Sequence, residues 1–358
     1  MTSYRNTLSK FMRILTLLIC AIVLITTGLP LINSAEWWIR IFDFPRFQIA
    51  ILTVVAIILA FVFLKFKWAY KIPLLVILAV CLIYQIQFVL VYTPLYNTQA
   101  KDSNKQRGEN SFSLLVSNVR MENEEKERFQ ELVKKVNPDV LLITEPDKAW
   151  SAAVSKLDVD FPYSIKHPLE NSYGMILLSK LPLTESAVNF LVKDSIPSIF
   201  TKITLPSGIK IDFYGVHPEP PKPGTDTYER DTELLLIGEK IRDSKNPTLV
   251  AGDLNDVGWS VTSKLFRKYS RLVDPRQGRG FFNTYSVMTP MFRYPLDHIF
   301  YSKEFGLLSL EKLEDVGSDH YPIFISLNYE PDEDNTEGLK DTNAVEEEEV
   351  EEKIEAGN

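Results

Sequence analysis

The sequence is poor in cysteine and histidine, with two and four residues respectively among 358. Cys20 and Cys81 both lie in apolar runs, and no cysteine follows residue 81. Disulfides are therefore excluded from the polar part of the chain, as is a zinc site built on thiolates. This cysteine usage suits a reducing compartment without excluding the periplasm. The polar part also lacks a Walker loop, a dinucleotide-binding glycine fingerprint and a serine nucleophile elbow, so none of those three chemistries has its usual loop here. Charge is missing from three long stretches near the N-terminus.

Those stretches are Ile14–Ile32, Phe47–Leu64 and Ile72–Tyr92, of 19, 18 and 21 residues. Each is long enough to cross a hydrocarbon core of about 30 Å at about 1.5 Å per residue. Arg5, Lys10 and Arg13 before the first run also fit a cleaved signal peptide, but the run is long for that role and two more follow. Residues 1–96 thus read as a membrane anchor of three transmembrane helices. Arg5, Lys10 and Arg13, with Lys65, Lys67 and Lys71 between the second and third runs, place those loops in the cytoplasm. Trp37 and Trp38 in the intervening loop suit the outer interface. Three crossings then put everything after Tyr92 outside the cytoplasm. No ionisable residue lies inside a run, which favours an anchor over a transporter.

Charge divides the rest. Residues 1–110 carry 11 Lys/Arg against 4 Asp/Glu, residues 111–330 carry 26 against 31, and residues 331–358 carry 2 against 12. Residues 97–110 read as a polar stalk. Residues 111–330 are enough for one domain with a sizeable core. Residues 331–358, acidic and without aromatics, read as a disordered tail.

Within 111–330, short β-rich runs alternate with polar loops. Strands are expected at 112–117, 140–144, 174–179, 199–205, 210–216, 248–251, 296–301 and 322–327. A helix is expected over 123–137, where Phe129, Leu132, Val133 and Val136 recur at i, i+3, i+4 and i+7 before Pro138. A second is expected over about 226–242. This pattern implies an α+β or α/β layered domain, with sheets covered by helices.

The strand ends carry the chemistry. Polar groups sit just beyond successive apolar runs: Asn118, Glu145, His217, Asp253 with Asn255, Asp297, and Asp319 with His320. Singly, each has an ordinary explanation in turn chemistry. His298 points away from Asp297 in a strand and reads as a packed histidine, and His167 has no assigned role. Together the set is a hard-oxygen and imidazole group suited to Mg²⁺ or Mn²⁺. Phosphate ester hydrolysis is the reaction such a set serves best, needing a metal, a base for water and an acid for the leaving oxygen.

These motifs, in this order over residues 112–327, resemble the endonuclease/exonuclease/phosphatase superfamily, with its deoxyribonuclease-I-like fold. The resemblance implies a four-layered α/β sandwich, two mixed sheets face to face with helices outside, here preceded by three transmembrane helices. The anchor, the His217-Pro218-Glu219-Pro220-Pro221 stretch and Gly280–Tyr285 resemble a membrane-bound bacterial subgroup, implying a multi-pass protein of the bacterial inner membrane. The same resemblance gives roles. Glu145, Asn118 and Asp319 would hold the metal. Asp253 would activate or orient water, Asn255 would hold a phosphate oxygen, and His320 would contact the phosphate, oriented by Asp297. His217 would assist the leaving group, and Arg120 and Tyr173 would be further phosphate contacts.

The implied partners are a phosphoester substrate, from nucleic acid or a phospholipid headgroup, and the lipid bilayer; no protein partner is implied. His217 favours phosphodiesters. The other class of function is an inactive membrane-tethered binding module using the same pocket. The Lys264, Arg267, Lys268, Arg271, Arg276 and Arg279 cluster reads either as a solvated face or as a rim for anionic phosphates. Phe281, Phe282 and Tyr285 read as core or as an aromatic lip.

Overall fold

Three apolar helices open the chain: α1 (Thr2–Gly28), α3 (Arg46–Phe63) and α4 (Trp68–Leu90), each long and apolar enough to cross a membrane. A one-turn helix, α2 (Trp37–Arg40), lies in the loop between the first two. The computed structural model describes residues 2–32, 34–333, 336 and 341–357. The three long helices meet along a narrow seam that includes Cys20, Val23, Ala56, Ala60 and Leu78. Small residues there let the backbones approach, the usual basis of helix packing in lipid. Ile58, Phe61, Val80 and Ile83 point outward and are exposed.

The polar part forms two sheets. The first has the order β10-β11-β1-β2-β4-β3 and the second β5-β6-β7-β8-β9. Its strands are β1 (Ser111–Asn118), β2 (Val140–Thr144), β3 (Tyr163–His167), β4 (Met175–Ser179), β5 (Leu183–Asn189), β6 (Ser198–Thr204), β7 (Lys210–Gly215), β8 (Thr248–Asp253), β9 (Asp297–Tyr301), β10 (Phe305–Lys312) and β11 (Ile323–Tyr329). Leu114, Val116 and Leu142 of one sheet share a core with Phe213, Leu249 and Ile299 of the other. Helices α5 (Lys126–Val136) and α6 (Lys148–Val154) cover the first sheet through Phe129 and Trp150. Helices α7 (Tyr228–Asp243) and α8 (Val261–Ser270) cover the second through Leu234, Ile237 and Phe266. The result is the expected four-layered sandwich.

Every strand expected from the sequence is present. Three strands were not anticipated, β3, β5 and β10, and all three are sheet edges. Edge strands bury less and carry more polar residues, so their apolar pattern is weak.

Register sets the site. β1 runs parallel to β2 with Asn118 beside Thr144, and β7 runs parallel to β8 with Gly215 beside Ala251. Asp297, the first residue of β9, lies opposite Asp253, the last of β8. Four carboxyl-terminal strand ends and one amino-terminal end therefore collect at one side of the sandwich. Gly252 allows the close approach: at φ +144°, a Cβ there would sit 1.9 Å from the Val216 carbonyl oxygen.

Two expectations about the flanks are corrected. Residues 97–110 are not a free stalk. Ala100 is in the core, and Lys101 and Ser103 bond the two sides of Leu307 at the β10 edge, at 3.0 and 2.8 Å. The exposed edge of β10 offers unpaired backbone groups, which this segment satisfies. The acidic tail is not wholly disordered either. Residues Ala344–Gly357 form helix α9, whose Val350 is fully buried against α7. Glu346 pairs with Lys268 and Glu347 with Arg242, and Asp341 pairs with Arg271. Three of the acidic residues thus meet a basic face, while Glu348, Glu351 and Glu352 are exposed. The residues of this tail at 334–335, 337–340 and 358 lie outside those described.

That pairing, with other contacts, also removes the phosphate-rim reading of the basic cluster. Arg276 is buried on Asp274, and Arg279 pairs with Asp102. Arg267 is buried and Lys264 lies over the Phe88 ring. The cluster wires together the anchor, the sandwich and the tail.

The anchor docks on the sandwich. Trp259 Nε1 donates to the Asp43 carbonyl at 2.7 Å, and Tyr92 OH donates to Asp274 Oδ2 at 3.1 Å. Tyr92, Trp259 and Phe281 form one aromatic cluster. Beside it, Arg40 bonds Thr262 and approaches Asp231, and Arg46 pairs with Asp43. The α1–α3 loop and the residues after α4 thus reach the same face of the sandwich.

Candidate active site

Asn118 ends β1, and its side-chain amide joins two carboxylates. Nδ2 donates to Glu145 Oε1 at 2.7 Å and to Asp253 Oδ2 at 3.0 Å, while Oδ1 accepts from the Arg120 amide. Glu145 follows β2 with φ +64°, and its amide donates to the Gly174 carbonyl at 2.9 Å. Arg120 and Asn255 also have positive φ, at +55° and +50°. Such backbone in non-glycine residues costs of order 1–3 kcal/mol and gathers at functional sites.

Asp253 ends β8 at the centre of the group. Its Oδ2 is 3.9 Å from His217 Nε2 and 3.5 Å from His320 Nε2, and its Oδ1 accepts from the Asn255 amide at 3.0 Å. His217 Nε2 is also 3.9 Å from Glu145 Oε1. Asp297 Oδ2 is 2.7 Å from His320 Nδ1. Asn255 Nδ2 donates to the Pro218 carbonyl at 2.9 Å. Two groups have ligand atoms within 4.8 Å of one another, Glu145–His217–Asp253 and Asp253–Asp297–His320.

All eight sequence-selected residues come to this side of the fold, though not equally close. Seven are linked by the contacts above. Asp319 is adjacent to His320 in the chain, and its charge acts on both His320 and Glu145, but among the described residues it makes no hydrogen bond to the other carboxylates. Tyr173 packs its ring 5.3 Å from that of His217, whereas Arg120 turns to Glu122. His298 is a packed residue, as expected: it is fully buried between Arg276 and the Asp256 carbonyl. His167 lies on edge strand β3 against Phe190.

Ionisation follows from burial and proximity. Burial and the Asp253 and Asp319 charges push the Glu145 carboxyl up to about 7, against the opposing pull of Asn118 and His320. Burial alone would lower His320, but Asp297 and Asp253 outweigh it and raise the imidazole to about 10. Burial lowers His217, leaving it neutral. Burial would raise Asp253, but His320, His217 and Asn118 together hold it below the usual carboxylate range. Burial and Asp253 raise Asp297, with His320 opposing.

Several supporting residues were missed in the sequence. Thr284 Oγ1 accepts from the Leu296 and Asp297 amides, fixing the start of β9. It lies inside the Gly280–Tyr285 motif, which was a usable signal. Ser318 Oγ donates to the Asn118 carbonyl at 2.8 Å, and Arg230 donates to the Asn255 carbonyl at 3.2 Å. Tyr285 packs its ring 5.0 Å from His320. Arg230 carried no signal, being one charged residue in a helix.

A pocket of carboxylates, a carboxamide and imidazoles at one end of a two-sheet sandwich is the arrangement of the deoxyribonuclease-I-like fold. The model of the Endonuclease/Exonuclease/phosphatase family matches residues 115–320, more than half of the chain, and the chain belongs to that family. No curated protein matches the sequence significantly. Among solved structures, an endonuclease/exonuclease/phosphatase from Bacteroides vulgatus is 17% identical, with TM-score 0.51, 62% of this chain covered and 99% of that one. A humanized D. rerio TDP2 is 18% identical, with TM-score 0.50 and coverages of 61% and 99%. The human Nocturnin catalytic domain is 17% identical, with TM-score 0.50 and coverages of 65% and 97%. At these identities the likeness is one of fold. The family is typically metal-dependent and acts on phosphoesters.

The donors present fit a hard divalent cation. Glu145 and Asp253 share the Asn118 carboxamide and face His217, with no thiolate near. Burial, with the Asp253 and Asp319 charges, keeps Glu145 partly protonated, which a cation would reverse.

Proposed function

We propose that this protein is a membrane-anchored phosphodiesterase that uses Mg²⁺ or Mn²⁺ to hydrolyse its substrate by attack of water on phosphorus. The observation carrying this reading is the convergence of His320, Asp253, Asp297 and Glu145 at one strand-end pocket. Glu145, Asn118 and Asp319 would hold the ion, with Asp253 and His217 within reach of the same space. When bound, it would neutralise phosphate charge and polarise the phosphorus centre.

The remaining roles belong to side chains. Asp253, held ionised, orients water and takes its proton. His320, protonated and braced by Asp297 at 2.7 Å, places positive charge against a phosphate oxygen. Asn255 offers its carboxamide to another phosphate oxygen by exchanging the Pro218 carbonyl for substrate. His217, neutral and on the other side of Asp253 Oδ2, bonds the departing ester oxygen. Water oxygen joins phosphorus, one P–O ester bond breaks, the proton taken by Asp253 passes to the departing oxygen, and a phosphomonoester and an alcohol leave.

We further assign the protein to the inner membrane of a bacterium, with the catalytic domain outside the cytoplasm. The basic residues Lys65, Lys67 and Lys71 mark the cytoplasmic side. The contact of Asp43 and Arg40 with the catalytic domain supports the three-span arrangement, in which the α1–α3 loop shares the domain's side. A phosphatase reporter fused after residue 330 would be active and a cytoplasm-only reporter dark; the reverse would refute the orientation.

The test of activity is hydrolysis of bis-p-nitrophenyl phosphate by the full chain in nanodiscs. Turnover is expected with Mg²⁺ or Mn²⁺ and is expected to vanish in EDTA. Metal-independent turnover, or none under any metal, would defeat the reading.

A further inference from the structure

A groove of about 310 Å³ lies between the anchor and the catalytic domain. One wall is the first turns of α3, with Phe47, Gln48 and Ile51; the other includes Trp259, Phe281 and Tyr294. Ile51 is five residues past Arg46, about 8 Å down the helix at 1.5 Å per residue. The groove therefore starts at the outer interface and descends along a membrane span. Its lining is mainly aromatic and aliphatic, so water fills it poorly.

Three features say what fills it. First, the loop over the groove carries apolar side chains into the open: Met288 is 75% exposed, Met291 72% and Phe292 51%. Gln48 Nε2 donates to the Met291 carbonyl at 2.7 Å, which ties this loop to the outer end of α3. Exposed apolar residues held at that level belong in the interface of a bilayer. Second, Arg293 lines the groove, and among the described residues no carboxylate pairs with it. Its bonds run to the Ser286 and Val287 carbonyls and the Tyr321 hydroxyl. An uncompensated guanidinium suits a phosphate. Third, the groove and the catalytic pocket share a wall. Tyr294 lines the groove, the Tyr285 amide donates to its carbonyl at 3.0 Å, and the Tyr285 ring lies 5.0 Å from His320.

We propose that the groove holds an acyl chain of a membrane phospholipid, whose phosphodiester passes Arg293 and Tyr285 to reach the catalytic pocket. This rests on the phosphodiesterase reading above and names its substrate class. The occupant is a lipid because one wall of the groove is itself a membrane span, a place a nucleic acid does not enter. Water adds to phosphorus and one ester P–O bond breaks, giving a phosphomonoester and an alcohol. One of the products keeps the acyl chains in the bilayer, and the other is released to solvent.

The experiment uses the full chain reconstituted in vesicles of phosphatidylcholine doped with phosphatidylglycerol. Phospholipid hydrolysis and bis-p-nitrophenyl phosphate hydrolysis are measured side by side with Mn²⁺, and plasmid DNA is offered as a competitor substrate. Ile51→Trp fills the groove from a side chain that is 51% exposed, and Met291→Glu charges the loop; both sites are open enough for the fold to persist. Each is expected to lower the ratio of phospholipid to soluble-diester turnover at least tenfold. Independently of catalysis, a phospholipid carrying a diazirine on one acyl chain should, in EDTA, cross-link to residues 44–51 or 281–294, and Ile51→Trp should abolish this. Soluble-diester or DNA cleavage with intact phospholipid and no groove cross-link overturns the lipid assignment while leaving the phosphodiesterase reading standing. Groove cross-linking without any hydrolysis leaves the groove's occupant established and defeats the catalytic reading instead.

Discussion

Two clusters of buried charge lie in this molecule, and they are balanced differently. Behind the catalytic pocket, where the anchor docks, Arg40, Arg46 and Arg230 face Asp43, Asp231 and Asp256. Three arginines meet three aspartates, and Lys353 joins them at Asp231. In the pocket, Glu145, Asp253, Asp297 and Asp319 face two imidazoles, of which only His320 is held protonated. In the first cluster burial would raise the carboxyls of both Asp231 and Asp256, but Arg230, Arg40 and Lys353 hold Asp231 far below the usual range, while Asp256 stays raised against the pull of Arg230 and Arg40. In the second, burial first, and then the Asp253 and Asp319 charges, raise Glu145 to about 7. Balanced buried charge holds parts together, whereas a surplus of one sign marks where a charged ligand completes the structure.

The largest effect expected from breaking this contrast is on the balanced side. Asp231→Ala takes from the buried Arg230 and Arg40 one of their two carboxylate partners, Asp256 and Asp43 remaining, which costs up to about 3–5 kcal/mol. Chemical unfolding of the full chain in detergent measures it, and a loss below about 1 kcal/mol would remove the structural role. In the pocket the same kind of deletion should act on rate. Asp253→Ala or His320→Ala is expected to lower diester turnover at least about a hundredfold, the scale of a lost acid–base participant, with the melting temperature maintained. Near-normal turnover in both variants would refute the roles.

The surplus also predicts a pH dependence. A raised carboxyl keeps its proton in the folded protein up to about pH 7, so the stability linked to that proton is full below its ordinary value and lost as pH rises through 7. Metal binding needs the proton gone. Apparent Mn²⁺ affinity should therefore fall about tenfold per pH unit below 7, read by calorimetry, and Glu145→Gln should weaken affinity and flatten that slope. A slope unchanged in Glu145→Gln would exclude Glu145 as the titrating ligand. For His320 the sign is also that of a raised group: its contribution is complete below the ordinary 6.5 and is lost as pH climbs through about 10.

The pocket was legible in the sequence because its residues stand at the ends of strands whose apolar cores are unmistakable. Ile143-Thr144 leads into Glu145, and Ala251-Gly252 into Asp253. What the sequence concealed was pairing at a distance. Lys268 and Arg271 look like a phosphate rim until Glu346 and Asp341, some 70 residues on, are seen beside them. The same holds for Ala100, one small residue in a polar run that packs into the core, and for the edge strands, where half the side chains meet water. Local pattern reports burial by the chain's own neighbours; it does not report burial by a segment that returns from far away.

The smallest effect tests that return. In helix α9 the apolar anchor is Val350, fully buried, with Ile354 packed partly against the same cluster. Val350→Ala removes two methyl groups' worth of contact, about 1–2 kcal/mol, and that loss falls on the helix alone, since nothing in the pocket touches it. Limited proteolysis should then cut between residues 330 and 344 sooner, while diester turnover stays as in the parent. Should turnover fall together with the helix, the tail would belong to the same cooperative unit as the strand ends, and the division between a balanced structural cluster and an unbalanced catalytic one would have to be redrawn to include it.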